Sequence, residues 1–218
     1  LRHRNVVEFL GAYKDQGYVF FAIELMDYGA LTNVIAASWK ALGTFPLEHA
    51  RYVALEILHG LVFIHEQGVI HRDIKSDNVL VGSDGSVKIA DFGFAIRAKT
   101  ATGVLGSPYW MAPEVYAGVS YTNKVDIWSF AATVFELATG EPPFYHARHS
   151  EIAALAQKGF PSIPEETPFE KLLGWCSQRP SCRPTATELL THTSLADPSD
   201  RPSFVAFLAD IVGPPSLQ

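Results

Sequence analysis

Cysteine is almost missing from this chain: Cys176 and Cys182 are the only two in 218 residues. Two such residues build neither a disulfide framework nor a paired metal-ligand motif, so a reducing, cytoplasmic setting is expected. Positive charge is also scarce, with 17 Lys and Arg against 23 Asp and Glu, which leaves no electrostatic footprint for nucleic acid or an anionic membrane. No apolar run reaches the length of a membrane span, and Leu1 to Val7, carrying Arg2 and Arg4, holds no signal-peptide core. An internal repeat is lacking, as is an initiator Met; a start inside a patterned segment suggests a piece of something longer. What is present is an ordinary globular composition, 48% hydrophobic and 18% charged, long enough for one sizeable core.

The pattern along the chain turns from β to mostly α. Val6 to Tyr13 and Tyr18 to Glu24 read as strands joined by the turn-prone Lys14-Asp15-Gln16-Gly17. Tyr28-Gly29-Ala30 breaks that pattern, and Leu31 to Trp39 is helical in composition. After Pro46, apolar residues from Ala50 to Ile64 recur at helical spacing up to Gly68. Val79 to Val81 and Val87 to Ala90 flank Gly82-Ser83-Asp84-Gly85, the pattern of a tight hairpin. Periodicity is then lost until about Met111, predicting a long surface loop of functional kind. Val125 to Thr139 is apolar nearly all round and predicts a buried helix. Shorter helices are expected over Ser150 to Lys158, Phe169 to Ser177 and Thr185 to His192. Prolines at 198, 202, 214 and 215 mark a tail with one helical turn around Phe204 to Ile211.

His71-Arg72-Asp73-Ile74-Lys75-Ser76-Asp77-Asn78 sits between the long helix and the tight hairpin. Residues and context together resemble the protein-kinase catalytic loop. Phosphoryl transfer needs a hydroxyl nucleophile in line with the γ-phosphorus and cations to neutralise developing charge, so positioning is the main task of the protein. The resemblance implies that Asp73 accepts or orients the substrate hydroxyl, that Asn78 offers an oxygen to magnesium, and that Lys75 places a compact charge on the transferring phosphate. Lysine two residues after the aspartate is similar to serine/threonine kinases. Asp91-Phe92-Gly93 follows the hairpin; alone such a triplet is most often a turn, but here it resembles the family's metal-binding triplet, with Asp91 as a further Mg²⁺ ligand. Phe92, His71 and Phe9 would then share the hydrophobic column of active kinases.

Gly106 to Glu114, reading GSPYWMAPE, resembles the end of an activation segment. Ser107 is then expected to contact Asp73 and Lys75, and Glu114 to pair with Arg183; an exposed arginine beside a proline is the plainer alternative. Asp126 opens a buried helix, where a carboxylate can accept backbone N–H groups from the catalytic loop or simply cap its own helix. Ala131 stands where the family usually has glycine. Phosphate on Thr100 or Thr102 would pair with Arg72 and order the segment, unless these threonines merely suit an exposed loop. Glu24-Leu25-Met26 takes the place of the inter-lobe hinge, with Ile23 as gatekeeper and the backbone of Glu24 and Met26 toward adenine. Leu80 would lie beneath the ring or be plain core, and Ala30 stands where relatives place a polar ribose contact.

The resemblance covers residues 1 to about 196. It implies an α+β protein-kinase-like fold: an N-lobe remnant of two strands and hinge at 1–28, a mostly helical C-lobe at 29–196, and a C-terminal tail at 197–218. The implied activity is transfer of the ATP γ-phosphate to Ser/Thr hydroxyls of protein substrates in signalling, with ATP and Mg²⁺ as cofactors and an upstream activating kinase among the partners. No G-x-G-x-x-G occurs, and neither does the strand lysine or helix glutamate of the family, so the isolated chain is expected to bind ATP poorly and transfer phosphate slowly. A pseudokinase-like scaffold is the alternative, and an unrelated α-helical interaction domain a third. The catalytic loop and Asp91-Phe92-Gly93-Phe94 look like the sterile-type branch with the p21-activated kinases. His3 to Gly11 and Pro161-Ser162-Ile163-Pro164-Glu165 look like the tyrosine-kinase-like branch.

Overall fold

A computed structural model describes residues 1–163 and 167–213. Pro164 and Glu165 of the branch-marking stretch, and the prolines at 214 and 215, lie outside the described residues. Strands β1 (Phe9–Asp15) and β2 (Tyr18–Ile23) form an antiparallel hairpin whose turn places Gln16 and Gly17 at positive φ. The first strand starts later than the alternation suggested. Val6 and Val7 are buried, because their backbone joins another sheet: Ile89 donates to Asn5 O and Val7 to Ile89 O, both at 2.9 Å.

That other sheet has the order β3 (Gly29–Ala30), β5 (Val79–Val81), β6 (Val87–Ile89), all antiparallel. Gly29 and Ala30, read from sequence as a break, are thus a two-residue strand against Leu80 and Val81. Helix α1 (Leu31–Leu42) buries Leu31, Val34, Ile35 and Ser38, and stops at Gly43 in the left-handed region. Helix α2 (Leu47–Glu66) buries a stripe from Ala50 through Val53, Ile57 and Leu61 to Ile64 at helical spacing. Strand β4 (Val69–Ile70) pairs with β7 (Ile96–Arg97). The long loop after Phe92 is therefore pinned near its start, and again by reciprocal 2.9 Å bonds between Ala101 and Tyr121.

After the short α3 (Pro113–Tyr116), helix α4 (Lys124–Thr139) is buried without interruption from Val125 to Leu137, as an all-round apolar sequence requires. It ends at Gly140, φ 82°, where a side chain would meet the Trp39 ring at 2.8 Å. Helices α5 (His149–Ala156), α6 (Phe169–Cys176) and α7 (Ala186–Leu189) follow, the last opened by a reciprocal Thr185–Glu188 capping box. The tail differs from expectation. Residues Arg201–Val212 form a three-turn helix, α8, capped by Asp200, with Phe204 and Leu208 fully buried in the main core. Among the described residues no helix is long and apolar enough to cross a membrane.

Candidate active site

The loop from His71 to Asn78 is held from beneath by Asp126, the third residue of α4. Its carboxylate accepts the backbone N–H of His71 at 2.9 Å and of Arg72 at 2.8 Å, together with the ring N–H of His65 at 2.8 Å. Desolvation alone would push the Asp126 pKa up, but the His65 and Arg72 hydrogen bonds favour the anion and the net direction is downward. Arg72 takes a left-handed backbone, φ 71°, a conformation that costs a non-glycine residue energy and persists only where the surroundings hold it.

His71 is fully buried, and burial lowers its pKa. Its partners agree with a neutral ring: Nε2 donates to Ala90 O at 2.9 Å while Nδ1 accepts from Asp73 N at 3.3 Å. The ring meets Phe92 edge to face at 4.9 Å. Phe9 does not join this column. It is 58% exposed and lies beside Phe21, on a hairpin whose other aromatic side chains are exposed as well.

Asp73 is nearly buried and its two oxygens have different neighbours. Oδ1 accepts from the Ser107 backbone at 3.0 Å and the Ser107 hydroxyl at 2.9 Å. Oδ2 accepts from Asn78 Nδ2 at 2.9 Å and lies 3.7 Å from Lys75 Nζ. Lys75 in turn donates to Ser107 Oγ at 2.8 Å. One carboxylate, one ammonium, one hydroxyl and one amide thus form a closed cluster. Gly106 is required beside it: at φ 119°, a Cβ would lie 2.7 Å from Arg72 O.

Asn78 uses its amide N–H groups on Asp73, leaving Oδ1 as the atom able to bind a cation. Its backbone carbonyl accepts from Ala90 N at 2.8 Å, which ties the segment before Asp91 alongside the loop. Asp91 is exposed, left-handed at φ 56°, and accepts only from Gly93 N at 3.1 Å among the described residues. Two hard oxygen donors of this kind suit Mg²⁺, which takes few protein ligands and fills its shell from water and phosphate. Among the described residues no cluster of three or more His, Cys, Asp and Glu side chains could hold a metal.

Glu114 and Arg183 form a buried bidentate pair at 2.6 and 3.1 Å, and the guanidinium also donates to Lys124 O and lies 5.4 Å from the Trp128 ring. Arg72 Nε donates to Phe94 O at 2.6 Å, and Thr100 and Thr102 are exposed on the same segment. In the segment expected to be the hinge, Lys88 holds both Glu24 carboxylate oxygens at 2.7 Å, Met26 is buried, Ile23 is half exposed and Leu80 is half-buried between Ala30 and Lys88.

Some participants carry no sequence signal. His65 supports Asp126, and Ser76 bridges Thr32 Oγ1 and Glu136 Oε1 at 2.7 Å each. Glu136 is 4% exposed and its Oε2 has no hydrogen-bond partner among the described residues; burial pushes its pKa up to about 7. A single acid within an apolar helix offers no spacing to recognise.

Residues 1–211 match the family described as protein kinase domain. The chain is 38% identical over 199 residues to serine/threonine-protein kinase STE20 of Eremothecium gossypii, covering 87% of this chain and 20% of that protein. It is 38% identical over 207 residues to serine/threonine-protein kinase pakB of Dictyostelium discoideum, covering 89% and 24%. With STE20 of Saccharomyces cerevisiae it shares 35% over 220 residues, 96% and 23%. The chain spans about a fifth of the length of these curated relatives. Since the family match takes in all but the last few residues, the chain belongs to the protein kinase domain family.

Proposed function

We propose that this chain forms the substrate- and metal-holding part of a serine/threonine protein kinase that transfers the ATP γ-phosphate to protein hydroxyls. The observation that carries the reading is the closed cluster of Asp73, Lys75, Asn78 and Ser107. A substrate Ser or Thr hydroxyl replacing Ser107 Oγ at Asp73 would be oriented for in-line attack and give its proton to that carboxylate. Lys75 would stay beside it as a cation for the transferring phosphate, a role that suits a compact ammonium. Asn78 Oδ1 and Asp91 would hold magnesium, which neutralises phosphate charge when bound with the nucleotide. Glu24 and Met26 would offer backbone groups to adenine, with Ile23 and Leu80 around the ring.

The relatives named as serine/threonine-protein kinases support the hydroxyl class, as does lysine two residues after Asp73. Phosphate on Thr100 or Thr102 would draw on the terminal nitrogens of Arg72, whose Nε is taken by Phe94 O. The test is phosphotransfer by the full-length protein beside its Asp73→Asn variant. A loss of general-base catalysis lowers kcat by at least ~100-fold with nucleotide affinity unchanged. Equal turnover by the variant would remove Asp73 from the chemistry, and nucleotide binding without any transfer by the parent protein would favour a scaffold.

A further inference from the structure

Helix α8 touches both flanks of the hinge, and nothing in the proposed phosphotransfer uses it. Tyr28 lies just past Met26, with its backbone N–H bonded to Val81 O at 3.1 Å. Tyr28 is 9% exposed, and its hydroxyl donates at 3.1 Å to the carbonyl of Gly213, the residue that ends α8. At the other end of the helix, Arg201 Nε donates to Asp84 O at 2.7 Å and its Nη2 pairs with the Asp84 carboxylate. Val205 packs on the same turn so closely that a Cβ on Gly85 would lie 2.8 Å from it. The turn is tied onward to the hinge: Ser83 Oγ donates to Asp27 Oδ2 at 2.5 Å, and a Cβ on Gly82 would sit 3.6 Å from the terminal methyl of Met26. The path from α8 to Met26 is therefore continuous on both sides.

We infer that α8 is a positioning element for the nucleotide, fixing the Met26–Tyr28 segment and the 82–85 turn against each other. This rests on the reading of Glu24 to Met26 as the adenine-pairing edge. The helix suits the role because Phe204 and Leu208 anchor it in the core, whereas the 82–85 turn carries no apolar side chain of its own. Two-residue β3 offers little stiffness either. Linkage then works in both directions: a nucleotide that favours the docked arrangement must protect α8, and loosening α8 must weaken the nucleotide by the same factor.

The experiment uses the full-length protein, with MgADP as probe, in Tyr28→Phe and Arg201→Gln variants. Each variant removes a link while leaving the apolar anchor of α8 intact. The MgADP dissociation constant and the KM for ATP rise roughly fivefold, while kcat and the peptide KM stay as in the parent. MgADP slows hydrogen exchange of α8 amides in the parent and does so less in Tyr28→Phe. Parent-like affinity and exchange in both variants would overturn the inference. So would a parallel loss of melting temperature, peptide KM and nucleotide affinity, which marks α8 as merely structural. A parent protein that binds no MgADP removes the hinge reading first and the inference with it.

Discussion

Asp126 and Glu136 are carboxylates on one helix, both withdrawn from water, and their environments drive them apart. Asp126 has three donors and stays ionised below its ordinary range. Glu136 has Ser76 on one oxygen and, among the described residues, no hydrogen-bond partner on the other, so desolvation outweighs the bonds that would favour the anion and its pKa rises to about 7 from 4.5. A folded pKa above the unfolded one means that the native state holds the proton more tightly. Its contribution is fully present below pH ~4.5, is lost as pH rises through ~7, and is level beyond. The loss is on the order of 3 kcal/mol by the pKa displacement. Glu136→Gln removes the titration, so the variant is expected to gain stability over the parent as pH rises from 5 to 8. Urea unfolding at several pH values checks it, and parallel curves for the two proteins would reject it. Asp73, Lys75, Asn78 and Asp126 were legible from sequence because a fixed spacing announces them. Glu136 and His65 were not, since each acts through one contact made only after α2, α4 and the loop have packed.

Helix α8 shows how an element is under-read. The prolines at 198 and 202 suggested an irregular tail, yet Pro202 stands in the first turn, where a missing N–H has no partner to lose. Phe204, Phe207, Leu208 and Ile211 are at helical spacing, and the helix is stabilised by what they bury. Phe204 has no exposed surface and lies 4.9 Å from Tyr52 and 5.8 Å from His49, ring to ring. Phe204→Ala is expected to cost about 3–5 kcal/mol of unfolding free energy, by lost transfer and the cavity left behind. Guanidinium unfolding of the folded chain measures it, and a cost under ~1 kcal/mol would mean that α8 is not docked as described. The long α2 and α4 were readable from apolar pattern alone. Strands β3, β4 and β7 were not: two residues cannot display an alternation, and their pairing is set by the chain that folds back upon them.

For the molecule as a whole, the β1–β2 hairpin stands apart from the core that α2 and α4 organise. Phe9, Tyr13, Tyr18, Phe20 and Phe21 are all more than half exposed, and an isolated two-stranded hairpin is marginal in water. The Glu24–Tyr28 segment that follows it is held, among the described residues, by Glu8, Lys88, Val81 and the α8 contacts. Under the proposed reading, the residues that would hold the metal and accept the proton, Asp73, Asn78 and Asp91, are present in these 218 residues, while a G-x-G-x-x-G sequence is absent from them. Phosphate oxygens would then lack the backbone donors that a loop of that sequence provides, and each donor aimed at developing charge contributes on the order of 10²–10³ in rate. The purified 218-residue chain is therefore expected to transfer phosphate to a serine peptide at least ~100-fold more slowly than the full-length protein. Its MgADP binding should weaken in step, because the same backbone donors would be missing from the nucleotide's phosphates. Radiolabelled phosphate transfer and calorimetry, run side by side on both polypeptides, decide it: matching turnover would mean that Asp73, Lys75, Asn78 and Asp91 suffice for catalysis without a phosphate clamp.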